Sequence, residues 1–551
     1  MSIFFSLIIS IFSFILFKPI LFSGDLILSN FKIINIIIQN NKLWIITKYI
    51  FVFSLFFSNI INFNYLLSFF IIGIKDVANK SPAPIFGLLI GKDLENNNIY
   101  IPEKSLYQNI LITGSIGCGK TSSAMYPFTK QLIEYESNNF SKKLGFLILD
   151  VKGNYYSKVL DFARMCNRKK DVIVIELNGK YKYNPLDKPD IKSSVLANRI
   201  KNILLLFSPN NTESYWLDKV EQIVESCINF CRIYNNGYVS FEELHMLVTN
   251  KNYYLQKLHK VRSIFLSGKL SRNNCYLLNH SINFLESDYF SLDSRTFNIL
   301  KSEITRITNC FVSDYTVKKT FCPTKSEENF YGFDSVINSG KIVVLNMNIA
   351  QYKNLSKIIA AYLKLDFQTD VLKQLSNSST VKRSTVFISD EYQEYVTSSD
   401  SDFFSQSREA KCINIVSTQS YTSIINTLNN QNSSKVIIQN LVNKLWFRTD
   451  DIFTIEDIQK QIGKEEKKKY SKTFSENSKE STYSHLSKDF ISINSSLSES
   501  VNSYYQNDYV YDYNFFTQKL DTFNCISFLS NGTKIIKPKQ LKMIPYFLTK
   551  K

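Results

Sequence analysis

The stretch Asn109-Ile-Leu-Ile-Thr-Gly-Ser-Ile-Gly-Cys-Gly-Lys-Thr121 decides the fold. It contains Gly114-x-x-x-x-Gly119-Lys120-Thr121. The apolar run Ile110 to Thr113 predicts a strand entering this segment, and Thr121 to Tyr135 predicts a helix leaving it. That strand–loop–helix context is what a phosphate-binding loop requires. Glycines let backbone N–H groups close around phosphate oxygens, and the following helix points its positive end at the same charge. Gly114, Ser115, Ile116, Gly117, Cys118, Gly119, Lys120, Thr121 and Ser122 are therefore the expected nucleotide-binding residues. Lys120 would reach the β- and γ-phosphates of ATP, and the Thr121 hydroxyl would ligate Mg²⁺.

Further strands follow from apolar runs buried on both faces. These are Leu144 to Asp150, Asp171 to Glu176, Lys341 to Asn346, Thr385 to Ser389 and Cys412 to Ser417. Helical segments separate them, the longest being Ser356 to Leu375. Strands alternating with helices predict an α/β fold with a doubly wound, mostly parallel sheet. From about Lys192 to Cys322 the pattern is helical, which reads as an inserted all-α domain. Ser471 to Ser503, rich in Ser, Asn, Lys and Glu, reads as a mobile or poorly packed surface segment. Cys525 to Ser530 and Lys534 to Lys537 read as a hairpin turning at Asn531-Gly532. The expected divisions are 1–75, 76–190, 191–325 and 326–551.

The strand Thr385 to Ser389 ends in Asp390-Glu391. An apolar strand that delivers adjacent acids to a sheet edge suits a nucleotide site. Asp390 would hold the Mg²⁺ shell, and Glu391 would act as general base on the attacking water. Gln419 closes the next strand, where a carboxamide could contact both the γ-phosphate and the water. Arg408 lies between them. It is either a surface residue or, in a ring of subunits, a cation reaching a neighbour's γ-phosphate.

The net charge is +17, of which residues 1–75 carry only +4. A basic body suits a polyanion such as DNA or an anionic membrane surface, although an AT-rich coding bias would produce the same excess of lysine. Nine cysteines show no disulfide framework, and Cys227 and Cys231, one helical turn apart, read as buried thiols. The apolar stretch at about 49–74 is long enough to span a bilayer, and that at about 3–22 spans it if Lys18 snorkels to the interface; otherwise there is a single span. With both spans the reading is an N-terminal transmembrane hairpin with residues 23–48 outside and the nucleotide-binding body in the cytoplasm.

Together these residues resemble the type IV coupling proteins of bacterial conjugation and secretion, the TraG/TraD-like family. The resemblance is carried by the membrane hairpin, the phosphate loop, Asp150-x-Lys152-Gly153, Tyr183-Asn-Pro-Leu-Asp187 and Tyr215-Trp216. Asp390-Glu391-Tyr392, Arg408, Thr418-Gln419-Ser420, Leu445 to Asp451 and Gly463-Lys464-Glu465 continue it. Val151 and Asn154 stand where the family usually has Pro and Glu, Cys118 where Ser is usual, and Tyr392 where Phe is usual. The resemblance implies a RecA-like P-loop ATPase, homo-hexameric, anchored as a multi-pass protein in the inner membrane. Such a protein would couple a relaxase–DNA substrate to the proteins of a type IV secretion channel. Two alternatives stand beside it: a nucleotide-gated recruitment platform for protein cargo, and an FtsK- or HerA-like DNA translocase. The Asn184-Pro-Leu-Asp187 element argues against the last.

Overall fold

The computed structural model describes residues 86–549 except 151, 208–213, 269, 377–381 and 478–495, together with ten positions between 42 and 57. The chain divides into two compact units, Met1–Ala83 and Pro84–Lys551. In the first, the described positions are helical, and Ile45, Ile46, Tyr49, Ile50, Phe53 and Phe57 are each more than half exposed. The expected spans at 3–22 and 49–74 lie outside the described residues apart from a few positions early in the second. No helix among the described residues is long and apolar enough to cross a membrane.

The second unit is built on an eleven-stranded sheet. Its seven-stranded parallel part runs in the order β9 (Asn443–Trp446), β3 (Ile110–Thr113), β8 (Cys412–Thr418), β7 (Thr385–Ser389), β4 (Gly145–Leu149), β6 (Ile342–Leu345), β5 (Val172–Ile175). Every residue of β3, β4, β6, β7, β8 and β9 is buried. Strands covered on both faces read as near-continuous apolar runs, which is why β3, β4, β6 and β7 are announced by their sequences, whereas β9, Asn443-Lys-Leu-Trp446, is not. An antiparallel extension follows beyond β9: β12 (Asn524–Phe528), β13 (Lys539–Met543), β1 (Gly87–Asp93) and β2 (Asn98–Pro102).

Strand register sets which residues leave the sheet together. Thr113 lies level with Thr418, and Ser389 lies level with both Val416 and Leu149. The next residues along these strands, Gly114, Gln419, Asp390 and Asp150, therefore emerge side by side along one sheet edge.

Between β5 and β6 the chain is mainly helical, with helices at Ser193–Leu205, Ser214–Tyr234, Phe241–Thr249, Lys251–Leu266, Arg272–Asn283, Ser294–Val312 and Tyr315–Phe321. Their starts are encoded locally. The Ser240 hydroxyl accepts from the Glu243 N–H, and Asp293 accepts from the N–H groups of Arg295 and Thr296. One apolar core joins these helices to a sheet face through the helix Asn354–Ser376, which is buried almost all round. The rings of Phe241 and Phe311 stack at 3.9 Å, with Tyr362 of that helix against their edges. A second core, on the other face, holds Phe128, Leu132 and Ile133 of the helix Tyr126–Glu134 that follows the phosphate loop.

Tyr183-Asn-Pro-Leu-Asp187 is the joint between sheet and helices. The Tyr183 hydroxyl donates to Asp366 on the Asn354–Ser376 helix, and Arg199 and Lys188 pair with the same carboxylate. Burial pushes the Asp366 carboxyl up, but the two cations outweigh it and hold it below the usual range. The Asn184 amide donates to the Val239 carbonyl at 2.9 Å. Asp187 sits beside Glu328, which is 3% exposed. Burial, with the Asp187 charge adding to it, pushes the Glu328 carboxyl up to about 8. The native state therefore keeps a proton that the unfolded chain releases near its ordinary value of 4.5. Stability from this group is complete below that value and is lost as pH rises through about 8. Glu328→Gln, whose amide can donate to Asp187 without titrating, is expected to flatten the fall in melting temperature between pH 5 and pH 8.5. The variant should melt above the wild type at the alkaline end.

Three expectations are refined. The described residues of the segment Ser471 to Ser503, 471–477 and 496–503, belong to a long two-stranded ribbon: β10 (Lys464–Asn477) pairs antiparallel with β11 (Ser496–Tyr509) over fourteen residues each. Its composition has no apolar period to reveal it, because the described side chains on both faces of the ribbon are largely exposed. The hairpin near Asn531-Gly532 exists, but Lys534 to Lys537 contributes only a bridge, Ser530 to Ile535. The returning strand is β13, which pairs with both β12 and β1. The helix expected from Thr121 opens as a π-turn, Thr121–Met125, before becoming α-helical.

Candidate nucleotide site

The phosphate loop crosses from β3 to its helix with Gly119 at φ +98°. A side chain there would be strained, and its Cβ would lie 2.5 Å from the Phe523 ring. Phe523 itself holds a left-handed φ of 65°, and its N–H donates to the Cys118 carbonyl at 3.1 Å. The loop is also tied to the end of β9, where the Arg448 carbonyl accepts from the Ser115 N–H and hydroxyl at 2.8 and 3.1 Å. Cys118 is buried, and burial pushes its thiol up. Ile116, by contrast, is 77% exposed. Lys120 is buried and folds its ammonium onto the loop, donating to the carbonyls of Gly114 and Ser115. Ser122 donates to the Gly119 carbonyl at 3.3 Å.

The loop and the acid pair meet. The Thr121 hydroxyl donates to Asp390 Oδ2 at 3.0 Å, across 269 residues of sequence. β8 lies between their two strands, so the contact depends on strand order. Asp390 is 1% exposed. Burial pushes its carboxyl up, Lys152 opposes this, and neighbouring Asp150 and Glu391 add to the rise. A buried carboxylate beside two others and opposite a hydroxyl supplies the hard oxygen donors, and the surplus negative charge, that Mg²⁺ requires alongside phosphate.

Glu391 takes the left-handed backbone conformation, φ 54°. Its carboxylate accepts from three donors on three segments: Lys152 Nζ at 2.6 Å, Gln393 Nε2 at 2.8 Å and Gln419 Nε2 at 3.2 Å. Burial pushes the carboxyl up, but these donors outweigh it, Lys152 first, and hold it below the usual range. A cleft of ≈ 370 Å³ opens here, lined by Lys152, Asn348, Ile349, Glu391, Glu394 and Gln419.

Lys120, Thr121, Asp390, Glu391 and Gln419 thus gather at one sheet edge. Arg408 does not join them. It lies in the turn before β8, with an exposed side chain, at the other end of the strand that carries Gln419. Seven residues of strand put about 23 Å between those ends. Lys152 and Gln393 are additions to the expected set. The Asp150-x-Lys152-Gly153 turn pointed to the first, since a polar turn after a wholly apolar strand sits at the same edge. Nothing local marks Gln393.

Parallel strands with a phosphate loop, and an acid pair on the strand next but one, define the RecA-like class of P-loop NTPase folds. Comparison with known proteins narrows the class. Residues 384–499 match the family model described as the TraM recognition site of TraD and TraG. The fold is similar to the unbound conjugative coupling protein TrwBdeltaN70, with a TM-score of 0.53 at 12% identity over 86% of this chain and 91% of that one. It is also similar to TrwB with the ATP analogue ADPNP (0.54, 10% identity, 84% and 96% covered) and to TrwB with ADP and Mg²⁺ (0.50, 11%, 84% and 95%). No curated protein matches the sequence. The resemblance to the type IV coupling proteins is borne out, by the family model over 384–499 and, for the fold, by the coupling-protein structures.

Proposed function

We propose that this chain is a membrane-anchored ATPase that couples a relaxase–DNA substrate to a type IV secretion channel. The observation that carries the hydrolytic part is the Thr121–Asp390 contact, with Glu391 and Gln419 beside it on adjoining strands. Residues 76–190 and 326–551 form the nucleotide-binding domain, 191–325 the inserted helical domain, and 1–75 the transmembrane region of this reading.

Thr121 and Asp390 would hold Mg²⁺, which would supply positive charge against that developing on the phosphates of ATP. The phosphate-loop residues Gly114 to Ser122 cradle the phosphates through backbone N–H groups. Lys120 exchanges the carbonyls of Gly114 and Ser115 for phosphate oxygens. Glu391 takes a proton from the attacking water, and Gln419 orients that water while contacting the carboxylate. Arg408 lies too far along β8 to serve its own subunit's site, so in this reading it acts on a neighbour's γ-phosphate in a homo-hexamer.

TrwB, whose fold this chain shares, is described as a plasmid coupling protein, and the family matched at 384–499 carries a TraM recognition site. These support the coupling role and a contact with relaxosome proteins. The recognition site also favours a second reading, a platform that recruits protein cargo with nucleotide setting its shape. ATP turnover of the full-length protein in lipid, with and without single- and double-stranded DNA, separates the two. Turnover is expected to rise several-fold with DNA and to vanish in Lys120→Ala. Turnover indifferent to DNA in a verified oligomer would favour the platform.

A further inference from the structure

We propose that Lys152 is the positioning residue for Glu391, and that the Asp150-x-Lys152-Gly153 turn exists to deliver it. The inference rests on the proposed hydrolytic activity and assigns a role to a motif which that activity leaves idle.

Hydrogen bonds tie the described residues of the turn together. Asp150, 1% exposed, follows β4 and accepts three backbone N–H groups: Lys152 at 2.9 Å on Oδ1, then Asn154 and Tyr155 at 3.1 and 3.0 Å on Oδ2. These bonds wind the chain back toward the helix Tyr155–Met165. Gly153 holds φ +73°, and a Cβ there would come within 2.9 Å of Asn348, which follows the neighbouring strand β6. A left-handed residue pressed against a neighbour leaves room only for glycine. The Lys152 backbone is thereby fixed relative to both β4 and β6.

From that base the Lys152 ammonium reaches Glu391 Oε1 at 2.6 Å. The other oxygen is taken by Gln393 and Gln419, so both carboxylate oxygens have fixed partners. The two sides differ in exposure. The Glu391 side chain is 9% exposed, whereas that of Lys152 is 48% exposed. Lys152 therefore closes over the carboxylate from the cleft side. A left-handed backbone at Glu391 does not by itself aim the side chain, and small errors in the aim of a base are costly in rate. The ammonium supplies the missing constraint by its charge and position without itself exchanging a proton with substrate.

The test compares wild type, Lys152→Met and Lys152→Arg as full-length protein in lipid. It measures ATP turnover together with binding of a fluorescent ATP analogue. In Lys152→Met, kcat is expected to fall roughly ten- to a hundredfold with KM and the analogue's Kd unchanged. Arginine, which can place a cation on the same carboxylate, is expected to recover part of the loss. Turnover unchanged or faster in Lys152→Met overturns the proposal. Parallel loss of binding and turnover also overturns it, in favour of a phosphate contact. A wild type that binds the analogue but hydrolyses nothing sinks the hydrolytic reading and this inference together. An active wild type beside an equally active Lys152→Met sinks only this one.

Discussion

Lys364→Met is expected to lower the free energy of unfolding by about 3–5 kcal/mol, the cost of leaving a buried charge without its partner. Lys364 and Asp400 form an ion pair at 2.6 Å with both side chains wholly buried. The ammonium also donates to the Tyr395 carbonyl at 2.8 Å and the Thr397 hydroxyl at 2.9 Å. Asp400 accepts further from Gln368, the Thr397 N–H and the Tyr392 hydroxyl. Burial pushes the Lys364 amine down, and Asp400 opposes that shift. Removing the cation leaves the carboxylate with neutral donors alone. Lys364→Met combined with Asp400→Leu removes both charges and is expected to lose less than Lys364→Met alone, because no uncompensated charge remains. Urea unfolding followed by tryptophan fluorescence checks this, since Trp446 is fully buried. A midpoint shift in the single variant no larger than in the double one would contradict it. The network also ends on Tyr392, the residue after Glu391, so the loss of stability should be accompanied by a loss of order at the nucleotide site.

Glu391→Gln is expected to slow ATP hydrolysis by about 10²–10⁴-fold while nucleotide binding survives, the range for removing a general base. The amide keeps the size of the side chain and can still meet Gln393 and Gln419, but it cannot accept a proton from water. Lys120, Thr121 and Asp390, which face the phosphates and Mg²⁺ in the proposed reading, are untouched. Phosphate release measured beside binding of a fluorescent ATP analogue separates chemistry from affinity. A fall of less than tenfold would show that another group takes the proton.

Much of this site is legible in the sequence. The run Thr385 to Ser389 predicts a strand with the limits that β7 has, because a strand buried on both faces is mainly apolar. The phosphate loop is equally local: its glycines, lysine and threonine are consecutive, and their backbone requirements do not depend on distant partners. The strands of the antiparallel extension are harder to read. β1, Gly87–Asp93, ends in Lys92-Asp93 and is paired on one side by β2 and on the other by β13, more than 440 residues later. The ribbon β10–β11 shows the limit most clearly. Serines, asparagines and lysines signal a poorly packed segment, yet backbone pairing from Lys464 with Tyr509 to Asn477 with Ser496 makes it two long strands.

By itself the sequence determined the kind of element at each strongly apolar run, the phosphate loop, and the residue types available at the ends of the central strands. Those properties depend on neighbours along the chain, through burial period and backbone geometry. Only the tertiary structure decided which of those ends stand together. Strand order puts β8 between the phosphate-loop strand and the acid strand, which brings Gln419 to Glu391 and sends Arg408 to the opposite edge. It likewise joins Lys152 to Glu391 across 239 residues and Tyr183 to Asp366 across 183. Hydrogen bonds and ion pairs act over about 3 Å of space whatever the separation in sequence, so their partners are set by how the sheet is threaded, which no local pattern encodes.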